Sequence, residues 1–288
     1  MNYKFAFFGT PRFAEIVLEE LITQGLIPSA VICNPDRPVG RKKIITPPPT
    51  KLLAQKHNIE ILQPESLTNY KLPVTDYDFF VIAAYGKIIP KEILNTPKFG
   101  TLGIHPSLLP KHRGASPIQT AILDGDEETG VTLFLVDEKV DHGKTIAQNT
   151  ITIINNDTYL SLEDKLAKLG TELLIKTLPD YINGKILPKE QDDGEATFTK
   201  KFETQDGFVS LDVLEAALQG EKAFWIHKKI CALNPEPGAW TLRQAQGKLS
   251  KKNSDKPQRM KLLESEFKGD RLVLKKIQIE GKTSQILN

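Results

Sequence analysis

Apolar residues in this chain fall into short blocks separated by polar, glycine- and proline-rich stretches, and the blocks alternate in period. Tyr3–Phe8 is an apolar block followed by Gly9-Thr10-Pro11, after which Phe13, Ile16, Val17 and Leu21 recur at helical spacing. Thr10 suits a helix cap and Pro11 the first helical position, where no amide donor is needed. Ala30-Val31-Ile32-Cys33 reads as the next buried strand. Strand, helix and strand make a βαβ unit, so the pattern predicts an α/β fold around a parallel sheet with right-handed crossovers. Further strands are expected at Asp78–Ala84 and Thr101–Ile104, the second running into His105, and a β pair at Gly130–Val136 and Thr145–Ile153. Helices are expected at Thr50–Lys56 and Pro117–Leu123, and another where Leu162, Leu166, Leu169 and Leu173 form one stripe, stopping near Pro179.

Two stretches break the pattern. Asn34–Lys43, running into Pro47-Pro48-Pro49, holds enough proline and glycine to predict an irregular loop. Its five basic residues from 36 to 51 (Arg37, Arg41, Lys42, Lys43, Lys51) face one acid, Asp36, which fits either a phosphate-gripping arm or a solvated surface loop. Periodicity fades again from Asn183 to Asp206, predicting a linker. Beyond it come two short helices (Leu211–Leu218, Ala223–Leu233) and strands near Trp240–Leu242, Met260–Leu263 and Leu272–Ile279. The stretch 243–261 carries seven basic residues and one acid. It reads as the basic loop of a small β module suited to tRNA-like nucleic acid, or as a disordered insertion.

Composition narrows the class. The chain has 288 residues, 40% hydrophobic and 26% charged, which predicts two soluble domains with sizeable cores. Residues 201–288 carry net +5 and the rest −3, a mild pointer to a polyanion held by the second half. Two cysteines 198 positions apart predict no disulfide framework and a reducing compartment. No apolar run approaches the ~20 residues that span a bilayer, and the first nine residues are too short a stretch for a signal peptide, so a cytoplasmic protein is expected. The dinucleotide fingerprint, the Walker loop and Gly-x-Ser-x-Gly are absent, and the five histidines are too scattered for a metal site.

What remains is His105 at the end of a buried strand, the carboxyl edge where α/β sheets place their ligands, and Asp141 in an Asp-His-Gly turn. Each also fits a plain structural role, in packing or in turn chemistry. The run Gly103–Gln119, with Ser107-Leu108-Leu109-Pro110 inside it, brings these features together with Phe7–Ala14, Ala83–Pro90, Gly125–Thr132, Asp141-His142-Gly143 and Ala232–Trp240. On these motifs the chain resembles the formyltetrahydrofolate-dependent formyltransferases, closely over its first 180 residues and patchily beyond. The loop Pro35–Lys43 and the run Asn234–Trp240 resemble the branch acting on charged initiator tRNA.

The resemblance implies a Rossmann-like parallel-sheet formyltransferase domain (1–183), a linker (184–206) and a small OB-like β-barrel domain that binds tRNA (207–288). It implies 10-formyltetrahydrofolate as formyl donor, methionyl initiator tRNA as acceptor, no metal, no membrane and a monomer. Carried over by position, His105 and Asp141 are catalytic, Ser107, Leu108, Leu109 and Pro110 line the folate site, and Arg41, Lys42 and Lys43 contact tRNA. The family pattern has an asparagine two residues before the histidine, where this chain has Gly103. Losing such an oxyanion donor typically costs about 10²–10³ in rate. Either a water, an amide or a neighbouring side chain replaces it, or the chain is a slow enzyme or a non-catalytic binding homologue. A formyltransferase acting on a small amine, such as an amino sugar nucleotide, is the remaining alternative.

Overall fold

The computed structural model describes residues 3–40, 42–72, 76–243 and 257–287. The chain divides into two compact units: residues 1–117, 128–151 and 163–199, and residues 118–127, 152–162 and 200–288.

Unit 1 is built on a seven-stranded sheet. Its strands are β1 (Phe5–Gly9), β2 (Ala30–Ile32), β5 (Glu60–Leu62), β6 (Phe79–Ala83), β7 (Thr101–His105), β9 (Glu128–Leu135) and β10 (Thr145–Thr152), in the order β10-β9-β7-β6-β1-β2-β5. From β5 to β7 all neighbours pair in parallel, as the βαβ reading required, whereas β7 pairs antiparallel with β9. Strands β1, β2 and β6 are almost wholly buried, which is why they read as continuous apolar runs. Helices α1 (Arg12–Thr23), α2 (Pro49–Lys56) and α3 (Lys91–Leu94) lie in the crossovers. The amphipathic spacing of α1 buries Phe13, Ala14, Val17, Leu18 and Leu21. One core cluster joins Phe8, Ile32, Phe80, Tyr77, Tyr85 and Ile89.

Three local expectations change. Pro11, not Thr10, is the N-cap of α1. Thr10 instead donates its hydroxyl to the Tyr85 carbonyl and accepts the Asn34 amide. The proline- and glycine-rich loop contains a two-stranded antiparallel hairpin, β3 (Arg37–Val39) with β4 (Ile44–Thr46), turned at Gly40 with φ 70°. A hairpin needs only one ladder, so Pro38 is tolerated on it. Helix α5 (Tyr159–Ile182) runs through Pro179, because a proline in the last turn removes one donor without ending the helix. Helix α4 (Pro117–Asp124) follows the two-residue strand β8 (Arg113–Gly114), which pairs in parallel with β11 (Phe198–Thr199).

Unit 2 carries helices α6 (Leu211–Leu218) and α7 (Ala223–Leu233) and a four-stranded antiparallel sheet. Its strands, β12 (Ala239–Arg243), β13 (Gln258–Lys268), β14 (Arg271–Ile279) and β15 (Ser284–Ile286), stand in sequence order. The OB-like module of the sequence reading is this sheet with its two helices, closed by Val209, Leu214, Ile226, Ile230, Leu262, Leu272 and Ile277. Most of the basic loop, 244–256, lies outside the described residues, including Lys248, Lys251, Lys252 and Lys256. Arg259 lies over the Trp240 ring at 4.1 Å. Among the described residues no helix is long and apolar enough to cross a membrane.

His227 on α7 is buried, its Nδ1 facing Ser265 Oγ at 2.9 Å and its Nε2 facing the Asn155 carbonyl at 3.2 Å. Burial holds its pKa below the usual 6.5, outweighing the carbonyl that favours the charged ring. The unfolded chain therefore binds the extra proton first. The stability this ring contributes is full above about pH 6.5 and is lost as pH falls toward its lowered folded value. Both tryptophans, Trp225 and Trp240, belong to unit 2, so their fluorescence follows this unit. The urea midpoint should fall between pH 7.5 and 5.5, and fall less in His227→Gln. Equal pH slopes in the two proteins would refute the assignment.

Candidate functional site

The site grows from the carboxyl end of β7. Residues two apart on a strand share a face, so Gly103 and His105 point the same way. In the antiparallel pairing, Gly103 stands opposite Phe134 and His105 opposite Thr132, which puts all four on one face. Phe134 is buried and meets the His105 ring edge-on, with centroids 6.5 Å apart and planes at 87°. His105 is only 6% exposed. Its Nε2 lies 2.9 Å from the His112 carbonyl and its Nδ1 lies 3.5 Å from Asp141 Oδ2. Both ring nitrogens thus face acceptors, and only the imidazolium donates from both.

Asp141 is therefore brought to His105, as the sequence reading expected. Its carboxylate also accepts the Gly114 amide through Oδ2 at 2.8 Å. Its backbone is left-handed, φ 48°, and so is that of His112, φ 61°. Non-glycine residues held there store of order 1–3 kcal/mol of strain, typical of functional turns. The turn continues to Gly143, where an added Cβ would lie 1.7 Å from the Leu135 carbonyl oxygen, so no other residue fits. His142 points elsewhere, with Nδ1 2.7 Å from Asp137 and Nε2 3.4 Å from Asp193.

Ser107, Leu108, Leu109 and Pro110 follow directly, and their loop is fixed by two side chains to which the sequence reading gave no role. Thr132 Oγ1 donates to the Ser107 carbonyl at 2.7 Å and accepts from the Leu109 amide at 3.0 Å and from Gln148 Nε2 at 2.9 Å. That uses a hydroxyl completely. Gln148 also donates to the Leu109 carbonyl at 2.7 Å. The Ser107 hydroxyl donates to the Lys111 carbonyl at 2.6 Å. Ser107 and Leu109 are buried, while Leu108 and Pro110 remain half-buried and present an apolar ledge.

Of the basic residues read from the sequence, Lys42 and Lys43 belong to hairpin β3–β4. Lys42 and Lys43 are exposed at its turn, and Arg41 lies outside the described residues. Val39, Ile44 and Ile45 are exposed beside them, so the hairpin is both cationic and apolar. At its base Lys51 pairs with Asp36 at 2.8 Å. Neither thiol is a nucleophile at neutral pH, since burial pushes Cys33 and Cys231 each up to about 11. Among the described residues no group of three or more His, Cys, Asp or Glu could hold a metal ion.

Comparison with known proteins gives a consistent answer. Residues 3–178 match the family model described as formyl transferase. The chain is 43% identical over 242 residues to a methionyl-tRNA formyltransferase of Staphylococcus epidermidis, covering 83% of this chain and 75% of that protein. It is 41% identical over 243 residues to a methionyl-tRNA formyltransferase of Halalkalibacterium halodurans, covering 83% and 74%. Among solved structures it is similar to an N-formyltransferase of Helicobacter canadensis in complex with folinic acid and dTDP-3-aminofucose. That similarity has a TM-score of 0.58 at 21% identity, over 90% of this chain and 95% of the other, and supports the fold.

The glycine at 103 has a steric cause in this structure. A Cβ placed there would lie 2.3 Å from Phe134 Cε1 and 2.7 Å from Cζ. The ring is buried against His105 and cannot swing away freely. Overpacking of this kind costs about 1–3 kcal/mol, or roughly 2–4 °C per kcal/mol for a unit of this size. Gly103→Ala and Gly103→Asn should each lower the melting temperature by several degrees, and each should cost less in a Phe134→Ala background than in the wild type. A Gly103→Asn protein as stable as wild type would show that the ring yields.

Proposed function

The chain belongs to the formyl transferase family, and from that premise we propose that it transfers a formyl group from 10-formyltetrahydrofolate to the α-amino group of methionine on initiator tRNA. One observation carries the reading: His105 and Asp141 meet beside the loop Ser107–Pro110. Identity of 41–43% to methionyl-tRNA formyltransferases, against 21% to a sugar enzyme, favours the tRNA substrate. The cationic hairpin favours it too. The division into a catalytic domain (1–183), a linker (184–206) and a tRNA-binding module (207–288), acting as a cytoplasmic monomer, belongs to the same proposal.

The residues present fit a folate donor. Thr132 and Gln148 hold the backbone of the loop, and Leu108 and Pro110 are half-buried apolar side chains on it, of the kind that packs on the flat face of a heteroaromatic ring. When bound, 10-formyltetrahydrofolate would supply the formyl group: the amine would bond to the formyl carbon and give up a proton, negative charge would develop on the carbonyl oxygen, and the bond from that carbon to N10 would break, tetrahydrofolate leaving with a proton on N10. His105 is the group here that can donate to such an oxygen or carry such a proton. It reaches substrate by giving up its Nε2 bond to the His112 carbonyl, while Asp141 stays beside Nδ1. Asp141 orients the ring and compensates its charge. Gly103 contributes no side-chain donor, so more of this work falls on His105.

The direct test is formylation of charged initiator tRNA by the purified protein. Turnover is expected in wild type. His105→Ala should lower kcat by about 10²–10⁴ and leave folate affinity within about threefold. Loss of folate binding together with turnover would make His105 structural, and a wild-type protein without turnover would overturn the function.

A second expectation concerns the hairpin. Replacing Arg41, Lys42 and Lys43 one at a time by alanine should raise KM for tRNA and flatten its dependence on log salt by about 1 for each phosphate contact removed. An unchanged salt slope would remove the hairpin from the tRNA site.

A further inference from the structure

The stretch 184–206 has no apolar periodicity, yet one of its side chains ties together the two turns that flank His105. The Gln191 amide is fully used. Its Nε2 donates to the Asp141 carbonyl at 2.9 Å and to the Gly143 carbonyl at 2.7 Å. Its Oε1 accepts from Arg113 Nε at 3.1 Å and Nη2 at 2.8 Å. The amide therefore spans from the left-handed Asp141 turn to the loop that carries the His112 carbonyl.

Both ends of that span are anchored. Arg113 is 3% exposed, and its Nη1 pairs with Asp193 Oδ1 at 2.9 Å. Its backbone amide donates to the Thr197 carbonyl at 2.8 Å, and Arg113–Gly114 pairs with Phe198–Thr199 as β8 with β11. At the other end, Gly143 packs against the Leu135 carbonyl with no room for a side chain, which fixes the far side of the turn. The ring of contacts closes at the chemistry. Gly114, next to Arg113, donates its amide to Asp141 Oδ2, the oxygen that faces His105 Nδ1. The Asp141 carboxylate is thus aimed from its own backbone through Gln191 and from its tip through Gly114.

We propose that Gln191 is a positioning residue for Asp141, holding the carboxylate on the Gly114 amide and on His105. It touches neither substrate and acts through the turn. The role rests on the function proposed above for His105 and Asp141, while the geometry it controls is measurable without turnover. A neutral amide suits the position because the two turn carbonyls demand two donors and Arg113 demands an acceptor. A glutamate of the same shape satisfies Arg113 and fails both carbonyls. An alanine fails all four contacts.

The test compares wild type, Gln191→Glu and Gln191→Ala by steady-state kinetics and by amide hydrogen exchange. Misplacing a catalytic group by about 1 Å can cost about 10²-fold. Both variants are expected to lose about 10- to 100-fold in kcat, with KM for the folate and for tRNA within about threefold. Exchange at the Gly114 amide should quicken at least about tenfold, while sheet amides such as Phe8 and Val81 keep their wild-type rates. The isosteric Gln191→Glu guards against a fold that does not survive truncation. Wild-type kcat in Gln191→Glu, unchanged exchange at Gly114, or a uniform rise in exchange across unit 1 would each overturn the proposal. If wild type itself fails to formylate tRNA, the functional reading falls and exchange at Gly114 decides the role of Gln191 alone.

Discussion

Antiparallel pairing of β7 with β9 is the constraint from which the site follows. It puts Gly103, His105, Thr132 and Phe134 on one face. Thr132 holds the loop after His105, Phe134 meets the imidazole edge-on, and Gly103 is small because that ring lies above it. Strand β9 delivers both Thr132, opposite His105, and, through the segment that follows it, the Asp141 turn. A one-residue slip of β9 along β7 would turn Thr132 and Phe134 to the opposite face from His105.

Around this face the protein uses polar contacts that leave little unsatisfied. The amides of Ser107, Leu109, Lys111, His112, Arg113, Gly114 and Ser116 all donate within unit 1. A buried network with its members paired is rigid, and each member lost leaves a partner unpaired at a cost of about 1–3 kcal/mol. The rigidity has a chemical meaning. Charge-stabilising groups act best when they need not reorganise as charge develops. Here the left-handed His112 and Asp141 are held by surrounding bonds rather than by their own preference.

How much of this was legible in the sequence depends on what periodicity reports. It reports burial of apolar side chains, so β1, α1, β2, β6 and β7 were readable, and with them His105 at a strand end. Asp141 was readable as a turn residue, and only resemblance said where the turn pointed. Gln191, Gln148 and Thr132 act through hydrogen bonds to groups distant in sequence, and such bonds leave no period. The stretch holding Gln191 read as a linker for that reason. Phe134 read as one more β-former, since its effect on position 103 needs the register. The hairpin at Arg37–Thr46 was hidden by Pro38 and Gly40, which mark a breaker in a large sheet but are acceptable in a two-stranded ribbon.

The pairing of Gly103 with Phe134 bears on how the reaction is shared out. An aromatic edge contact is worth about 0.5–1.5 kcal/mol beyond its buried area, whereas an oxyanion donor is worth about 2.7–4 kcal/mol in the transition state. These energies act on different states. The ring stabilises the folded protein and the posture of His105, and a donor stabilises only the reacting complex. Packing at 134 therefore cannot replace a missing donor in kind. What it can do is confine the imidazole, with Asp141 on one side and Phe134 on its edge. Seven amides of the loop already donate within the unit, so the surroundings that confine this ring are themselves held by hydrogen bonds.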